Sequence, residues 1–151
     1  MPPRPTLDAP REVDNVQGAA LIVRREVLER IGLLDEGYFM YTEEVDLCQR
    51  IRDAGWRVYW APQSQVVHHG GQSTQLVSER MFLELYGSKV RYFRKHFGHV
   101  ATLVYKLVLA TAAIVRLVIA PLAVLGIWQP RAHRQRSAAN YLQLLRVLSR
   151  M

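Results

Sequence analysis

Apolar residues come in short, punctuated runs over the first half of this chain and in one long run over the second. Residues 16–23 (VQGAALIV) form a compact apolar run of the kind a buried strand requires, with Gly18 permitting close backbone approach. Over 24–31, Val27, Leu28 and Ile31 share one face at helical spacing and Gly32 follows, which predicts a short amphipathic helix with a glycine stop. Residues 33–41 read as a loop around Asp35, Glu36 and Gly37. Thr42 stands where an N-cap is expected, ahead of a helix running to about Ala54 that turns Val45, Cys48 and Ile51 (or Leu47 and Ile51) inward and stops at Gly55. Residues 56–60 alternate as a strand does, Pro62 punctuates, and 65–68 predict a second short strand ending at Gly70 and Gly71. Strands alternating with helices make an α/β pattern.

Beyond Gln75 the pattern changes. Residues 76–97 predict a helix bearing Arg80, Lys89, Arg91, Arg94 and Lys95, and Gly98 interrupts it. Residues 100–128 are almost wholly apolar, broken only by Lys106, Arg116 and Pro121. A last helix is expected over 137–148, where Leu142, Leu145 and Leu148 recur at helical spacing. The segment 107–127 is long enough to cross a bilayer. Arg116 at its centre costs about 3 kcal/mol there on insertion scales. Basic residues flank the segment on both sides, so charge asymmetry gives no orientation. A helix pair lying in the interface fits that two-sided charge better than a clean span. The alternative is an ordinary buried helix of a soluble bundle.

A length of 151 residues allows one domain with a core of its own, and 50% hydrophobic residues exclude a disordered chain. Cys48 is the single cysteine, which excludes a disulfide framework and a cysteine-based zinc site within one chain. The net charge of +7 hides an asymmetry: residues 1–75 hold 8 Lys/Arg against 11 Asp/Glu, and 76–151 hold 12 against 2. The second half is therefore expected to face an anionic partner, a membrane surface. Nucleic acid is disfavoured, since no reader motif or aromatic stacking platform accompanies the basic residues. Residues 1–12 are a Pro-rich, loose lead-in without the apolar region of a secretory signal.

Candidate chemistry concentrates in Glu43, Glu44 and Asp46, three carboxylates within four residues behind an aromatic run. A carboxylate at a helix N-terminus can act as general base towards a hydroxyl. Capping and dipole compensation account for one or two such acids equally well, though less easily for Asp46. His68 and His69, before a glycine turn, can ligate a metal or bind phosphate, and can as well be turn residues. In a strand the two would point to opposite faces, so at most one would serve a site.

The order of these pieces adds to their meaning. The runs VQGAALIVRRE (16–26), IGLLDE (31–36), FMYTEEVDLCQR (39–50), AGW (54–56), Pro62 and VHHGGQS (67–73) together closely resemble the C-terminal half of inverting family 2 glycosyltransferases, particularly the rhamnosyltransferase-like members. The resemblance covers about residues 13–75. It implies a partial GT-A fold, followed here by a helical, membrane-associated tail over 76–151. It also implies that Glu44 is the catalytic base, Glu standing where the family usually has Asp. Glu43 and Asp46 would shape the site and its acceptor contacts, and Gln17 and Gly18 would lie beneath donor sugar and acceptor. His68, with His69 as fallback, would help to hold a metal ion or the donor diphosphate.

The same resemblance implies a nucleotide-sugar donor, and Mg²⁺ or Mn²⁺ in the full-length enzyme. The charge and apolarity of the tail add the expectation of a lipid-linked or glycan acceptor at the cytoplasmic face of the plasma membrane, the chain being peripheral or single-span there. Family members carry a nucleotide-binding half ending in Asp-x-Asp, which does not occur in this sequence. The chain is thus expected to be part of a longer enzyme, inactive alone, the alternatives being that a partner supplies the other half or that the chain is a degenerate remnant. The competing expectation is a non-catalytic membrane scaffold descended from such an enzyme.

Overall fold

The computed structural model describes residues 9–68, 78–122 and 131–151, the side chains of 78, 119–122 and 131–137 excepted. His69 and residues 123–127 of the expected membrane segment lie outside the described residues. The chain forms two compact units, residues 1–75 and 76–151. Where length alone suggested one core, there are two.

The first unit is built on two helices and a ribbon. Strand β1 (Arg11–Glu12) pairs antiparallel with β2 (Tyr59–Trp60), Arg11 opposite Trp60 and Glu12 opposite Tyr59. The Val13 N–H donates to Val58 O at 2.9 Å and extends the ribbon by one bond. The end of the Pro-rich lead-in is thus ordered strand rather than loose chain. Helix α1 (Arg25–Ile31) stops at Gly32, whose φ of 81° and ψ of 173° only glycine adopts readily. Helix α2 (Glu43–Asp53) ends before Gly55, at φ 84°. Val27, Leu47, Cys48, Ile51 and Val58 form the buried core, with Val16, Leu21, Val23 and Trp56 packed around it. Trp56 and Trp60 are only partly buried and carry Arg24 and Arg11 over their rings at 5.9 and 5.2 Å.

The strand expected over 16–23 does not form. Its residues turn at Gly18 and Ala19, set Val16, Leu21 and Val23 on the core, and leave Ile22 fully exposed. A strand requires a neighbour to take its N–H and C=O groups, and β1–β2 is the one strand pair among the described residues. Residues 65–68 likewise form no strand, with Val66 and Val67 exposed. The expected α/β alternation is therefore largely helical here.

The described residues of the second unit are helical up to Val147, and residues 148–150 turn. Helix α3 (Ser78–Leu122) is broken at Gly98, where φ 79° and ψ −174° interrupt the helix. The Thr102 hydroxyl donates to Gly98 O at 2.7 Å, one turn back at the break. Across it, Phe93 stacks on Tyr105 with centroids 4.4 Å apart, so the two arms fold against each other. Helix α4 (Arg131–Val147) closes the unit through a core of Val90, Leu109, Leu144 and Leu148. Arg116 lies over the Tyr141 ring at 5.4 Å. Burial, with the adjacent Tyr141, holds the Tyr86 phenol above its ordinary value, the Arg116 cation pulling the other way. Over residues 79–118, α3 is long and apolar enough to cross a membrane, and only 11% of its most apolar window is buried inside the protein.

Candidate active site

The acidic residues sit on a strained corner. Tyr41 and Thr42, immediately before α2, have φ values of 68° and 71°, a left-handed conformation that non-glycine residues rarely adopt. Thr42 occupies the N-cap position but its side chain caps nothing. Side-chain capping needs an extended N-cap backbone, and the left-handed turn removes it. The expectation of a Thr42 cap is corrected accordingly: the hydroxyl does not serve the first-turn N–H groups, and three carboxylates occupy that turn instead.

The three acids have different fates. Asp46 points inward and is fully buried. Its Oδ2 accepts from Arg50 Nε at 2.8 Å, and its Oδ1 accepts from the Tyr38 hydroxyl at 3.4 Å. Arg50 continues outward, donating to Ile31 O at 2.8 Å, Gly32 O at 3.4 Å and Leu33 O at 2.7 Å. Asp46 and Arg50 thus tie the chain leaving α1 to the first turns of α2. Tyr38 and Arg50 were not foreseen. The i,i+4 spacing of Asp46 and Arg50 was the available signal.

Glu43 and Glu44 are partly buried, and each holds a buried Oε2 with no hydrogen-bond partner among the described residues. Buried polar atoms are almost always paired, because leaving one bare costs about 1–3 kcal/mol. Two unpaired acid oxygens in one helical turn therefore mark binding capacity that the described chain does not itself use. Gly18 lies alongside: a Cβ there would meet Glu44 Cβ at 3.7 Å and Cγ at 3.9 Å. The exposed segment of Gln17 and Gly18 and the acid at Glu44, far apart in sequence, come together.

A cavity of about 730 Å³ opens beside the core, lined among others by Gln17, Leu21, Val27, Cys48 and Trp56. Neither Glu43 nor Glu44 lines it. Its walls include core side chains such as Val27, Cys48, Ile51 and Val58 and the unpaired residues of 16–23. We read it as an unroofed part of the core rather than as the reaction site, because the acids and their unpaired oxygens lie elsewhere.

His68 is exposed, in the irregular stretch after β2. Among the described residues, no group of three or more His, Cys, Asp or Glu is placed to hold a metal ion. The described donors do not by themselves fit a metal centre.

A strained, acid-lined helix start thus lies against a glycine-containing segment, and comparison with known proteins gives the chain its family. The family model described as "Glycosyltransferase like family 2" matches residues 3–87, more than half of the chain. The chain belongs to this family, and its first part is rhamnosyltransferase-like. It is 44% identical over 64 residues to the N-acetylglucosaminyl-diphospho-decaprenol L-rhamnosyltransferase of Mycobacterium tuberculosis, covering 42% of this chain and 21% of that one. It is 29% identical over 93 residues to the rhamnosyltransferase WbbL of Escherichia coli K12, covering 62% and 35%. Over 42 residues it is 40% identical to the low-salt glycan biosynthesis hexosyltransferase Agl10 of Haloferax volcanii, covering 28% and 14%. The chain thus spans about a third or less of the length of these relatives. No solved structure matches it.

Proposed function

We propose that this chain is the acceptor-side part of an inverting sugar transferase of GT-A type, with Glu44 as its general base. The carrying observation is the Glu44 carboxylate itself: partly buried, one oxygen unpaired, beside Gly18 at a strained helix start. Glu44 accepts the proton of an acceptor hydroxyl as that oxygen attacks the anomeric carbon of a nucleotide-sugar. The bond from that carbon to the diphosphate oxygen breaks, and the electron pair leaves with the nucleoside diphosphate. The configuration inverts because attack and departure occur on opposite faces.

The chain's own residues do three things in this scheme. Glu44 moves the proton; Glu43 offers its unpaired oxygen to a second hydroxyl of the acceptor; Gln17 and Gly18 form the floor against which the sugars lie. Asp46 acts through Arg50, by positioning α2, and touches no substrate. Stabilising the departing diphosphate is a large share of such catalysis. It falls to groups outside the described residues, since His68 (or His69) brings at most one or two ligands. The isolated chain is therefore expected to show no transfer.

The acceptor is a lipid-linked sugar or glycan. Support comes from the decaprenol-linked substrate in the name of the mycobacterial relative and from the exposed apolar helix of the second unit. The reading includes a location at the cytoplasmic face of the membrane, peripheral or single-span. The test is a graft: residues 13–75 replace the matching segment of the mycobacterial rhamnosyltransferase, and transfer is assayed with nucleotide-sugar and lipid-linked acceptor. Retained transfer supports the reading. A folded but inactive graft favours the non-catalytic scaffold.

A further inference from the structure

The second arm of α3 has two apolar sides, and they have different neighbours. On one side Thr102, Leu109 and Ala113 are buried, and Tyr105 packs on the core with Leu144 and Leu148 of the α4 region. On the other, Val100, Leu103, Val104, Leu107, Val108, Ile114, Val115 and Val118 are exposed, by 46% to 78%. These recur three, four or seven residues apart, with the exposed Thr111 filling the gap, so they form one stripe about 27 Å long at the helical rise. Arg116 does not interrupt it. At about 100° per residue it lies about 160° round the helix from Val118, on the side of Tyr141, over whose ring it stands. The charge that makes a crossing costly is exposed, but it stands beside Tyr141 and away from the stripe.

What the stripe touches is narrowed by its surroundings. The exposed residues of the first arm near the Gly98 break include Arg91, Arg94 and Lys95, and residues 76–151 hold 12 Lys/Arg against 2 Asp/Glu. An apolar stripe beside exposed cations fits an anionic lipid surface. A full crossing fits poorly. Helix α4 runs beside the same arm, and its exposed Gln143 and Arg146 would be carried into hydrocarbon with it.

We infer that the second arm of α3 lies in the plane of one leaflet of an anionic membrane, stripe 100–118 buried in the acyl boundary and α4 on the water side. This deepens the membrane part of the proposed function. It stands apart from the transfer chemistry, because its test contains no sugar donor.

The test uses the full chain in a Cys48→Ala background, with an environment-sensitive fluorophore on a single cysteine at 103, 107, 114 or 143. The probe membranes are phosphatidylcholine vesicles with and without phosphatidylglycerol, and lipids quenching at graded depths report insertion. Labels at 103, 107 and 114 are expected at one common shallow depth and the label at 143 in water, with binding dependent on phosphatidylglycerol. Leu103→Asp with Leu107→Asp is expected to weaken vesicle binding about tenfold or more while helical circular dichroism is kept. A depth that changes steadily from 103 to 114, with 143 also quenched, would establish a span and overturn the inference. Folded protein without quenching at any position would overturn it as well. In either case a Glu44-dependent graft would leave the transfer reading standing.

Discussion

Glu44 and Asp46 lie two residues apart, and the structure gives them opposite characters. Asp46 is a buried ion-pair partner, so removing it strands Arg50 among the carbonyls of 31–33. Asp46→Ala is expected to destabilise the first unit by about 3–5 kcal/mol, read as a shift in urea midpoint. An Asp46→Leu, Arg50→Met pair should cost less than either single change, because no charge is left alone. Glu44 gains no such partner. Glu44→Gln should leave the midpoint unchanged or slightly raised, and lost stability there would contradict a functional role. Tyr41 and Thr42 carry the local strain. Thr42→Gly is expected to stabilise by about 1 kcal/mol by relieving the left-handed backbone. The sequence exposed the acids but not this strain, since neither Tyr nor Thr signals a positive φ. It also exposed the i,i+4 pair of Asp46 and Arg50, but not the loop that Arg50 holds, which approaches only in the folded chain.

At the scale of elements, what the sequence revealed was local. Helices α1 and α2 lie within a residue or two of where periodicity puts them, and Gly32, Gly55 and Gly98 mark their stops and the break because positive φ is a property of the residue itself. Strands depend on a neighbour: of the run expected over 56–60 only Tyr59–Trp60 forms, where β1 pairs with it, and 16–23, apolar enough, finds nothing to pair with among the described residues. The closeness of Gly18 to Glu44 was legible only through the family resemblance, because it depends on how residues 16–23 turn. Gly98 carries the clearest element-scale prediction. Alanine there would be forced into a conformation essentially reserved for glycine, at a cost of about 1–3 kcal/mol. The Phe93–Tyr105 stack that depends on the bend should loosen, seen as a change in near-ultraviolet circular dichroism.

The whole molecule joins two units of different chemistry, an acid-bearing one that matches family 2 glycosyltransferases and a basic, apolar helical one. Transfer is assigned to the first and location to the second. Diluting the stripe with Asp residues should therefore lower the use of lipid-linked acceptor in a membrane assay far more than the use of a soluble acceptor analogue. The central claim is that Glu44 takes the acceptor proton, and single-turnover transfer by the grafted rhamnosyltransferase tests it most directly. Glu44→Gln is expected to slow the chemical step by about 10²–10⁴-fold with acceptor binding little changed, and Glu44→Asp to restore much of it. An unchanged single-turnover rate in Glu44→Gln would contradict the account and remove Glu44 from the chemistry.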